Sequence, residues 1–259
     1  MIESYPFAYR PGPEIGQGYV SKVKELGPDW VVKEFNPVTP DGTPKDEGAY
    51  ERSQKPRHIG ELQETQRILS QDFIYGDKLI PTYWVLGSDE NGNEKYSTVQ
   101  KRFQGKTVHD IIINGDRAMS YSKRFRTFFG ENRQLREQML ELIWGTKRAL
   151  IEVGVFDDFH AGNIAVVTEE GSEPKMKVFD IQNMIRSQRI LYGDPPSPPE
   201  YKRHVLENVD KHAERLGKYE EWLEVTEEER AELDRRFGVV DGKYDHTVGR
   251  LLQMREQNI

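Results

Sequence analysis

The stretch that decides the fold is Asp158-Phe159-His160-Ala161-Gly162-Asn163, and Val178-Phe179-Asp180 follows it further along the chain. An Asp stands five residues before an Asn, and the Asn opens a short apolar run, Ile164-Ala165-Val166-Val167. A turn-rich segment comes next, and a second apolar run then ends on Asp180. This pattern predicts two strands joined by a turn, with polar side chains where the first strand begins and the second ends.

These polar residues have the layout of a phosphoryl-transfer site. In such sites one Asp orients the acceptor hydroxyl, while an Asn and a later Asp hold Mg²⁺ against the nucleotide phosphates. Oxygen ligands are needed because Mg²⁺ is a hard cation. The alternative is an ordinary connection between two strands, since Asp, His, Gly and Asn all favour turns. The residues upstream favour the first interpretation.

On these residues the chain resembles the protein-kinase-like superfamily, which contains protein kinases and small-molecule kinases of the aminoglycoside phosphotransferase type. The resemblance implies ATP and Mg²⁺ as cofactors, Asp158 as the catalytic residue, and Asn163 and Asp180 as metal ligands. Asp157 is a second candidate for the base, but the separation of five residues from Asn163 selects Asp158.

The amino-terminal run Ile15-Gly16-Gln17-Gly18-Tyr19-Val20-Ser21-Lys22-Val23 reads as strand, glycine turn and strand. It resembles the kinase glycine-rich loop G-x-G-x-x-G-x-V, with Ser21 where the third Gly usually stands. Glycines let the backbone close over phosphates with its N–H groups pointing at them. The resemblance implies that Gly16, Gln17, Gly18 and Val23 bind the nucleotide. An ordinary hairpin turn is the alternative.

A lysine inside an apolar run follows, in Trp30-Val31-Val32-Lys33-Glu34-Phe35. The run resembles the third strand of the kinase small lobe, which implies that Lys33 reaches the α- and β-phosphates. The family also places a helical Glu beside this lysine. An amphipathic helix predicted over residues 60–69 offers Glu61 and Glu64, and we favour Glu64 as the partner of Lys33. A solvated Glu on the helix surface is the alternative for either residue.

Two further segments complete the predicted N-lobe. Residues 36–57 hold four prolines and two glycines without periodicity, which predicts a long loop. Two β-like runs, residues 83–86 and 96–100, are joined by Asn91-Gly92, a hairpin signal. By its order in the chain, the next segment resembles the kinase hinge, whose backbone contacts adenine. The resemblance therefore implies that Lys101 and Phe103 lie at the nucleotide.

The second half of the chain is predicted to be helical. The clearest helix covers residues 132–153, where apolar residues recur every three or four positions and Gly154 follows as a stop. In the resembled family the hinge is followed by the first large-lobe helix, which by its order in the chain corresponds to the run Ile111-Ile112-Ile113. Three later helices are predicted over about residues 200–216, 226–237 and 246–257, the second with Thr226 and Glu229 as a capping box. The proline-rich residues 194–200 predict a rigid linker.

Composition narrows the class of protein. A formal net charge of −7 argues against nucleic acid as the main partner. A local basic cluster is the exception, and it comprises Arg117, Lys123, Arg124, Arg126, Arg133 and Arg136. The acidic run over residues 220–234 is expected to be a solvated surface. The absence of cysteine excludes disulfides and a thiol nucleophile. No apolar run is long enough to span a membrane and no signal peptide begins the chain, so we expect a cytoplasmic protein or one secreted into a host cell without a cleavable signal peptide.

Together these features predict an α+β, protein-kinase-like fold of two lobes. A small β-rich N-lobe is expected over residues 1–103 and a helical C-lobe over residues 104–259. The expected function is an ATP- and Mg²⁺-dependent serine/threonine protein kinase that acts as a monomer. The Asn183 close behind Asp180 resembles compact effector kinases of bacterial pathogens. Two alternatives stay open: a small-molecule kinase of the aminoglycoside or sugar type, and a pseudokinase or AMP-transferring kinase fold.

Overall fold

The fold is given by a computed structural model, which describes residues 12–17, 21–35, 56–71, 74–88, 94–156, 159–168, 171–179, 185–186 and 199–257. The chain divides into two compact units, Met1–Glu64 with Ile80–Phe103, and Thr65–Leu79 with Gln104–Ile259. The predicted α+β class is confirmed, because the first unit is built on an antiparallel sheet and the second is mainly helical.

A five-stranded antiparallel sheet forms the first unit, in the order β1-β2-β3-β5-β4. Its strands are β1 (Glu14–Gln17), β2 (Ser21–Leu26), β3 (Trp30–Phe35), β4 (Thr82–Ser88) and β5 (Glu94–Lys101). The turn between β2 and β3 requires a left-handed residue, and Gly27 supplies it with φ of 70°. Val31, Val32 and Trp84 are buried, so the β-branched and aromatic residues that predicted these strands also build the core of the sheet.

The first helix, α1, spans Pro56–Leu69. Proline favours the first helical position because its missing N–H would have no helical partner there. The predicted loop therefore ends earlier than expected, and residues 36–55 lie outside the described part of the chain. Ile59, Leu62, Thr65 and Leu69 are buried at intervals of three and four, as the amphipathic pattern predicts.

Six helices form most of the described part of the second unit. They are α2 (Val108–Ile113), α3 (Tyr121–Glu131), α4 (Arg133–Val153), α5 (Pro199–Trp222), α6 (Glu227–Phe237) and α7 (Lys243–Gln257). The helix α4 is the centre of the core, since Leu142, Ile143 and Trp144 are fully buried. Gly154 ends it in the left-handed region, with φ of 63°. Among the described residues, no helix has both the length and the apolar character needed to cross a bilayer.

Two small sheets complete the second unit. The first has the order β6-β8-β9, from Gly105–Thr107, Ile164–Val167 and Lys175–Val178. The second pairs β7 (Val155–Phe156) with β10 (Ile185–Arg186). The strands β8 and β9 are those that the sequence predicts, whereas β6, β7 and β10 are too short to give a periodic signal. Gly105 is required in β6 because a Cβ there would collide with the carbonyl oxygen of Val166.

Candidate nucleotide-binding and catalytic elements

Three of the predicted nucleotide-binding residues of the first unit lie in one row across the sheet, whereas Gln17 pairs with Lys22 in the next row. Gly16 of β1 pairs with Val23 of β2, and Val23 pairs with Lys33 of β3. Lys33 in turn pairs with Thr98 of β5. Directly opposed residues of antiparallel strands project to the same face of a sheet. The strand register therefore puts Val23 and Lys33 on one face beside Gly16, while Gly18 lies outside the described residues.

The predicted helical partner of Lys33 belongs to the same unit. Glu64 lies on α1 and is half-buried, as Lys33 is on β3. Glu64 directly precedes the buried Thr65, on a helix whose buried face is described above. The pairing of Lys33 with Glu64 stays a prediction, and so does the choice of Glu64 over Glu61.

The predicted hinge follows the last residue of β5. The backbone N–H of Lys101 donates to the carbonyl oxygen of Pro81 at 2.9 Å, and the N–H of Arg102 donates to Asp29 at 2.7 Å. The side chain of Lys101 is exposed, whereas Phe103 is half-buried. Lys101 stands three positions after Thr98 on β5, so its side chain projects to the face opposite Lys33. The side chains of Lys33 and Lys101 are thus not brought together.

The predicted catalytic loop is a short 3₁₀ turn, Ala161–Asn163, that leads into β8. His160 caps this turn, because its Nδ1 accepts a hydrogen bond of 2.9 Å from the N–H of Gly162. The N–H of Asn163 donates to the carbonyl oxygen of His160 at 2.8 Å. Asn163 is buried, so its side-chain position is set by the fold rather than by solvent.

Two pairings bring the segments on either side of the predicted Asp residues together. At one end, Phe156 of β7 pairs with Ile185 of β10. At the other end, the N–H of Phe179 donates to the carbonyl oxygen of Asn163 at 3.0 Å. Asp157, Asp158 and Asp180 themselves lie outside the described residues. The described residues before and after them nevertheless form a closed frame of two paired segments.

The edge strand of this frame is fixed to the central helix. Gln138 of α4 accepts a hydrogen bond of 2.7 Å from the N–H of Met176, and its amide nitrogen donates to the carbonyl oxygen of Pro174 at 3.2 Å. A side-chain amide has both a donor and an acceptor, so it can pair with a strand edge as another strand would. Residues 174–178 are therefore held between β8 and α4.

Two residues that contact the loop were not predicted from the sequence. The hydroxyl of Tyr219 on α5 accepts a hydrogen bond of 2.9 Å from the N–H of Ala161. One turn earlier, Arg215 donates to the carbonyl oxygen of Phe159 at 3.2 Å. The signal for them was the apolar period of α5, which continues past Gly217 to the buried Leu223. The sequence prediction ended this helix at residue 216 and so missed its last turns.

The predicted solvated surface of the acidic run is confirmed at Glu221, Glu224, Glu227, Glu228 and Glu232, which are exposed, while the run also contacts the basic cluster. Arg136 donates two hydrogen bonds to the carboxylate of Glu229, at 2.7 and 2.9 Å. These bonds raise the pKa of Arg136 and lower the pKa of Glu229. Arg126 lies 3.0 Å from Glu224, and Glu220 is fully buried. The physical reason is that α6 folds back along α4, so opposite charges face each other.

The donor set fits a magnesium ion in its chemistry. The predicted ligands Asn163 and Asp180 offer an amide oxygen and a carboxylate, and Mg²⁺ prefers oxygen ligands of this kind. The buried side chain of Asn163 stands at the start of β8, beside the residue that precedes Asp180. Among the described residues there is no cluster of three or more His, Asp or Glu that could hold a metal ion by itself.

Comparisons with known proteins give similar solved structures at low sequence identity. No protein-family model matches the chain, and no curated protein matches its sequence. The solved MAP kinase LmaMPK10 from Leishmania major is similar at 15% identity and a TM-score of 0.39, over 83% of this chain and 56% of the kinase chain. Rad53, solved in complex with AMP-PNP, is similar at 13% identity and a TM-score of 0.42, over 91% of this chain and 58% of its own.

The chain thus spans a little over half the length of these two solved chains. The order of its own elements gives the architecture: a glycine-bearing hairpin, a strand that carries Lys33, a helix, two more strands, and a helical unit with two small sheets. The fold of the chain is protein-kinase-like.

Proposed function

We propose that the protein is an ATP- and Mg²⁺-dependent phosphotransferase, and that it acts as a serine/threonine protein kinase. One observation carries the proposal. The residues that flank Asp158 pair with those that flank Asp180 at both ends, through Phe156 with Ile185 and Asn163 with Phe179. A kinase needs its base and its metal ligands on two such neighbouring segments, because both act on one phosphate.

In this proposal the predicted site residues of the second unit have different roles. Asp158 orients the acceptor hydroxyl and receives its proton, while Asn163 and Asp180 hold Mg²⁺. The metal, when bound, neutralises charge on the nucleotide phosphates. The 3₁₀ turn capped by His160 fixes the buried Asn163, so the amide oxygen needs little rearrangement to bind.

The residues of the first unit would bind the nucleotide. Gly16 has no side chain to obstruct a phosphate, and Val23 and Lys33 share a face with it in the sheet register. We propose that Lys33 contacts the α- and β-phosphates and pairs with Glu64. The β-strand holds the lysine backbone rigidly, which favours a fixed contact over a mobile surface charge.

The reaction is tested with ATP labelled separately at the γ- and the α-phosphate, with and without a generic protein acceptor. Transfer of the γ-label to protein Ser or Thr is expected. Transfer of the α-label would show AMP transfer instead. No transfer of either label, with nucleotide binding retained, would identify a pseudokinase.

The residue roles are tested by substitution. Asp158→Asn should bind MgATP normally and lose about 10²–10⁴-fold in kcat, as expected for a missing general base. Asp180→Asn should instead weaken Mg²⁺-dependent nucleotide binding. Asp241→Asn is a matched control, since Asp241 is exposed with φ of 61° and Asn tolerates that conformation. Full activity of Asp158→Asn would transfer the base role to Asp157.

The nucleotide contact is tested by Lys33→Ala, with Lys22→Ala of the neighbouring strand as the control. Lys33→Ala should lower kcat/KM for ATP strongly, while its unfolding midpoint stays near that of the wild type because β3 remains apolar around it. Lys22 forms an ion pair with Glu14 at 3.8 Å with both side chains exposed, so its removal should leave kinetics unchanged. Equal kinetics for both variants would remove Lys33 from the site.

A small-molecule kinase is the second candidate, and one observation favours it. His160 belongs to the loop and caps the turn before Asn163, and the Asp-x-His-x-Gly-Asn loop resembles that of small-molecule kinases. The positive charge of the basic cluster would repel a cationic substrate, but this repulsion is weakened because Arg126 and Arg136 are paired with carboxylates. Phosphorylation of an aminoglycoside or sugar panel without any protein labelling would favour this candidate.

A further inference from the structure

Two side chains on one face of the helix α5 contact the backbone of the predicted catalytic loop. Arg215 donates to the carbonyl oxygen of Phe159, and the hydroxyl of Tyr219 accepts from the N–H of Ala161. Residues four apart on a helix lie one above the other on the same side. The two contacts therefore act on neighbouring peptide groups, directly after the position of Asp158 in the sequence.

We propose that Tyr219 and Arg215 are positioning residues, which hold the backbone of residues 159–161 and thereby set the places of Asp158 and Asn163. This inference rests on the proposed function and names a support for it. Neither residue would touch substrate, nucleotide or metal. Their effect on catalysis would pass through the loop backbone.

The hydrogen bond to Ala161 is needed because that residue is buried. Ala161 is 4% exposed and Phe159 is 1% exposed, so solvent reaches neither of these residues freely. A buried N–H without a partner is costly, and the Tyr219 hydroxyl supplies the acceptor. A helical 3₁₀ turn leaves its first N–H groups without partners in the turn itself, which is where the hydroxyl binds.

The ring of Tyr219 has a separate packing role, which makes a clean test possible. It stacks on Phe125 of α3 at 5.3 Å between centroids with an interplanar angle of 2°, and it meets the edge of Phe159 at 6.1 Å. Tyr219→Phe keeps the ring and removes only the hydroxyl. The packing of α3 and α5 is therefore retained while the contact with Ala161 is lost.

The helix that holds the loop is itself anchored. Glu220, the next residue of α5, forms a buried ion pair of 2.7 Å with Lys147 of α4. The helix α4 ends at Val153 and leads through Gly154 into β7, just before the loop. The loop thus leaves from one helix and is held by another, and the ion pair fixes these two helices to each other.

The test compares Tyr219→Phe with Tyr75→Phe. Tyr75 is a matched control, because its buried hydroxyl also forms a hydrogen bond, to Thr146 at 2.5 Å, in the same unit but away from the loop. Amide hydrogen exchange of residues 159–163 is measured in the protein without nucleotide. Loss of one buried hydrogen bond should speed this exchange by about tenfold or more in Tyr219→Phe, with no change in Tyr75→Phe.

Kinetics provide the second measurement. In Tyr219→Phe, kcat should fall by about tenfold or more while KM for ATP changes by less than about twofold, because the loop and not the nucleotide contacts is displaced. Tyr75→Phe should keep both constants. Arg215→Met should lower kcat in the same way, and Arg215→Lys should recover part of the loss because it keeps a donor.

The two possible failures can be told apart. If Tyr219→Phe exchanges like Tyr75→Phe at residues 159–163, the positioning role is refuted. The same holds if it loses stability with kcat unchanged. A wild-type protein that transfers no phosphate would instead refute the proposed function, and the exchange comparison would still decide whether Tyr219 holds the loop.

Discussion

The buried ion pair between Lys147 and Glu220 leads to the most specific stability prediction. The Lys147 ammonium lies 2.7 Å from the Glu220 carboxylate, and the two side chains are 6% and 5% exposed. The ammonium also lies over the rings of Trp144, at 4.1 Å, and Tyr244, at 5.3 Å. The other oxygen of Glu220 lies 2.5 Å from Arg230. Both charges of the pair are thus removed from solvent.

Removal of one partner should be much more costly than removal of both. An uncompensated buried charge costs about 3–5 kcal/mol. Lys147→Met should lower the free energy of unfolding by about 3 kcal/mol, the lower limit of this range, because Arg230 remains beside Glu220. Glu220→Leu should lower the free energy of unfolding by up to about 5 kcal/mol, since among the described residues Lys147 is then left facing the aromatic rings of Trp144 and Tyr244. The double variant should leave the free energy of unfolding close to that of the wild type, because apolar replacements of a buried pair are often neutral.

The assay is urea unfolding followed by far-ultraviolet circular dichroism, at low and at high salt. The loss in the free energy of unfolding of each single variant should change little with salt, because salt screens buried charges poorly. Lys218→Met is the matched control, since Lys218 pairs with Glu214 on the same helix α5 but both side chains are more than half exposed. Its unfolding midpoint should equal that of the wild type.

Two outcomes would refute this reasoning. The first is a double variant whose loss of stability equals the sum of the two single losses, because the charges would then not interact. The second is a Lys147→Met protein that unfolds at the same urea concentration as Lys218→Met. Either result would mean that the pair is solvated in the folded protein.

Three further predictions concern single residues. Burial alone would raise the pKa of Glu141, but hydrogen bonds from Lys78 and Arg236 outweigh burial and lower this pKa. The stabilisation of the folded protein by these bonds is therefore complete above the unfolded pKa of 4.5 and is lost as the pH falls through the folded pKa. Acid unfolding of Glu141→Gln should therefore depend less on pH in this range than that of the wild type. Gly145→Ala should lower the unfolding free energy by about 1–3 kcal/mol, because the new methyl would lie 2.5 Å from the carbonyl oxygen of Ile74. His160→Ala should lower the free energy of unfolding by about 1 kcal/mol, because it removes the acceptor of the Gly162 N–H. His160→Asn should recover part of this loss, since its side-chain oxygen can accept the same bond.

The elements with a long period were predictable from the sequence. The helix α4 was predicted one residue from its observed start, because its buried positions recur regularly and Gly154 provides a clear stop. The capping box of Thr226 and Glu229 was predicted and is confirmed, since it depends only on residues three apart. The strand that carries Lys33 was predicted from its apolar neighbours and is also confirmed.

The elements that depend on distant contacts were not predictable. The helix α3, Tyr121–Glu131, has many charged residues and was treated only as a basic segment, yet Phe125 and Phe129 are buried in it. The paired strands β7 and β10 have two residues each, so no periodicity marks them. The pairing of Arg136 with Glu229 also depends on tertiary structure, because the two residues are far apart in the sequence.

The candidate site shows the same division. The register that aligns Gly16, Val23 and Lys33 follows from strands that the sequence predicted. The contacts of Arg215 and Tyr219 with the loop required knowledge of how α5 packs. A tyrosine hydroxyl that accepts from a backbone N–H has no sequence motif, since any helix that passes the loop could supply it.

The β8–β9 hairpin has one further consequence, for labelling the protein. Its turn includes Gly171, with φ of 76°, and the exposed Ser172. Four residue pairs separate this turn from the open end, where the N–H of Phe179 donates to the carbonyl oxygen of Asn163. A peptide tag inserted after Ser172 would lengthen the turn and leave the strand register intact, because exposed loop tips tolerate insertions well. A single residue inserted within β8 would reverse the faces of the strand and displace its polar end.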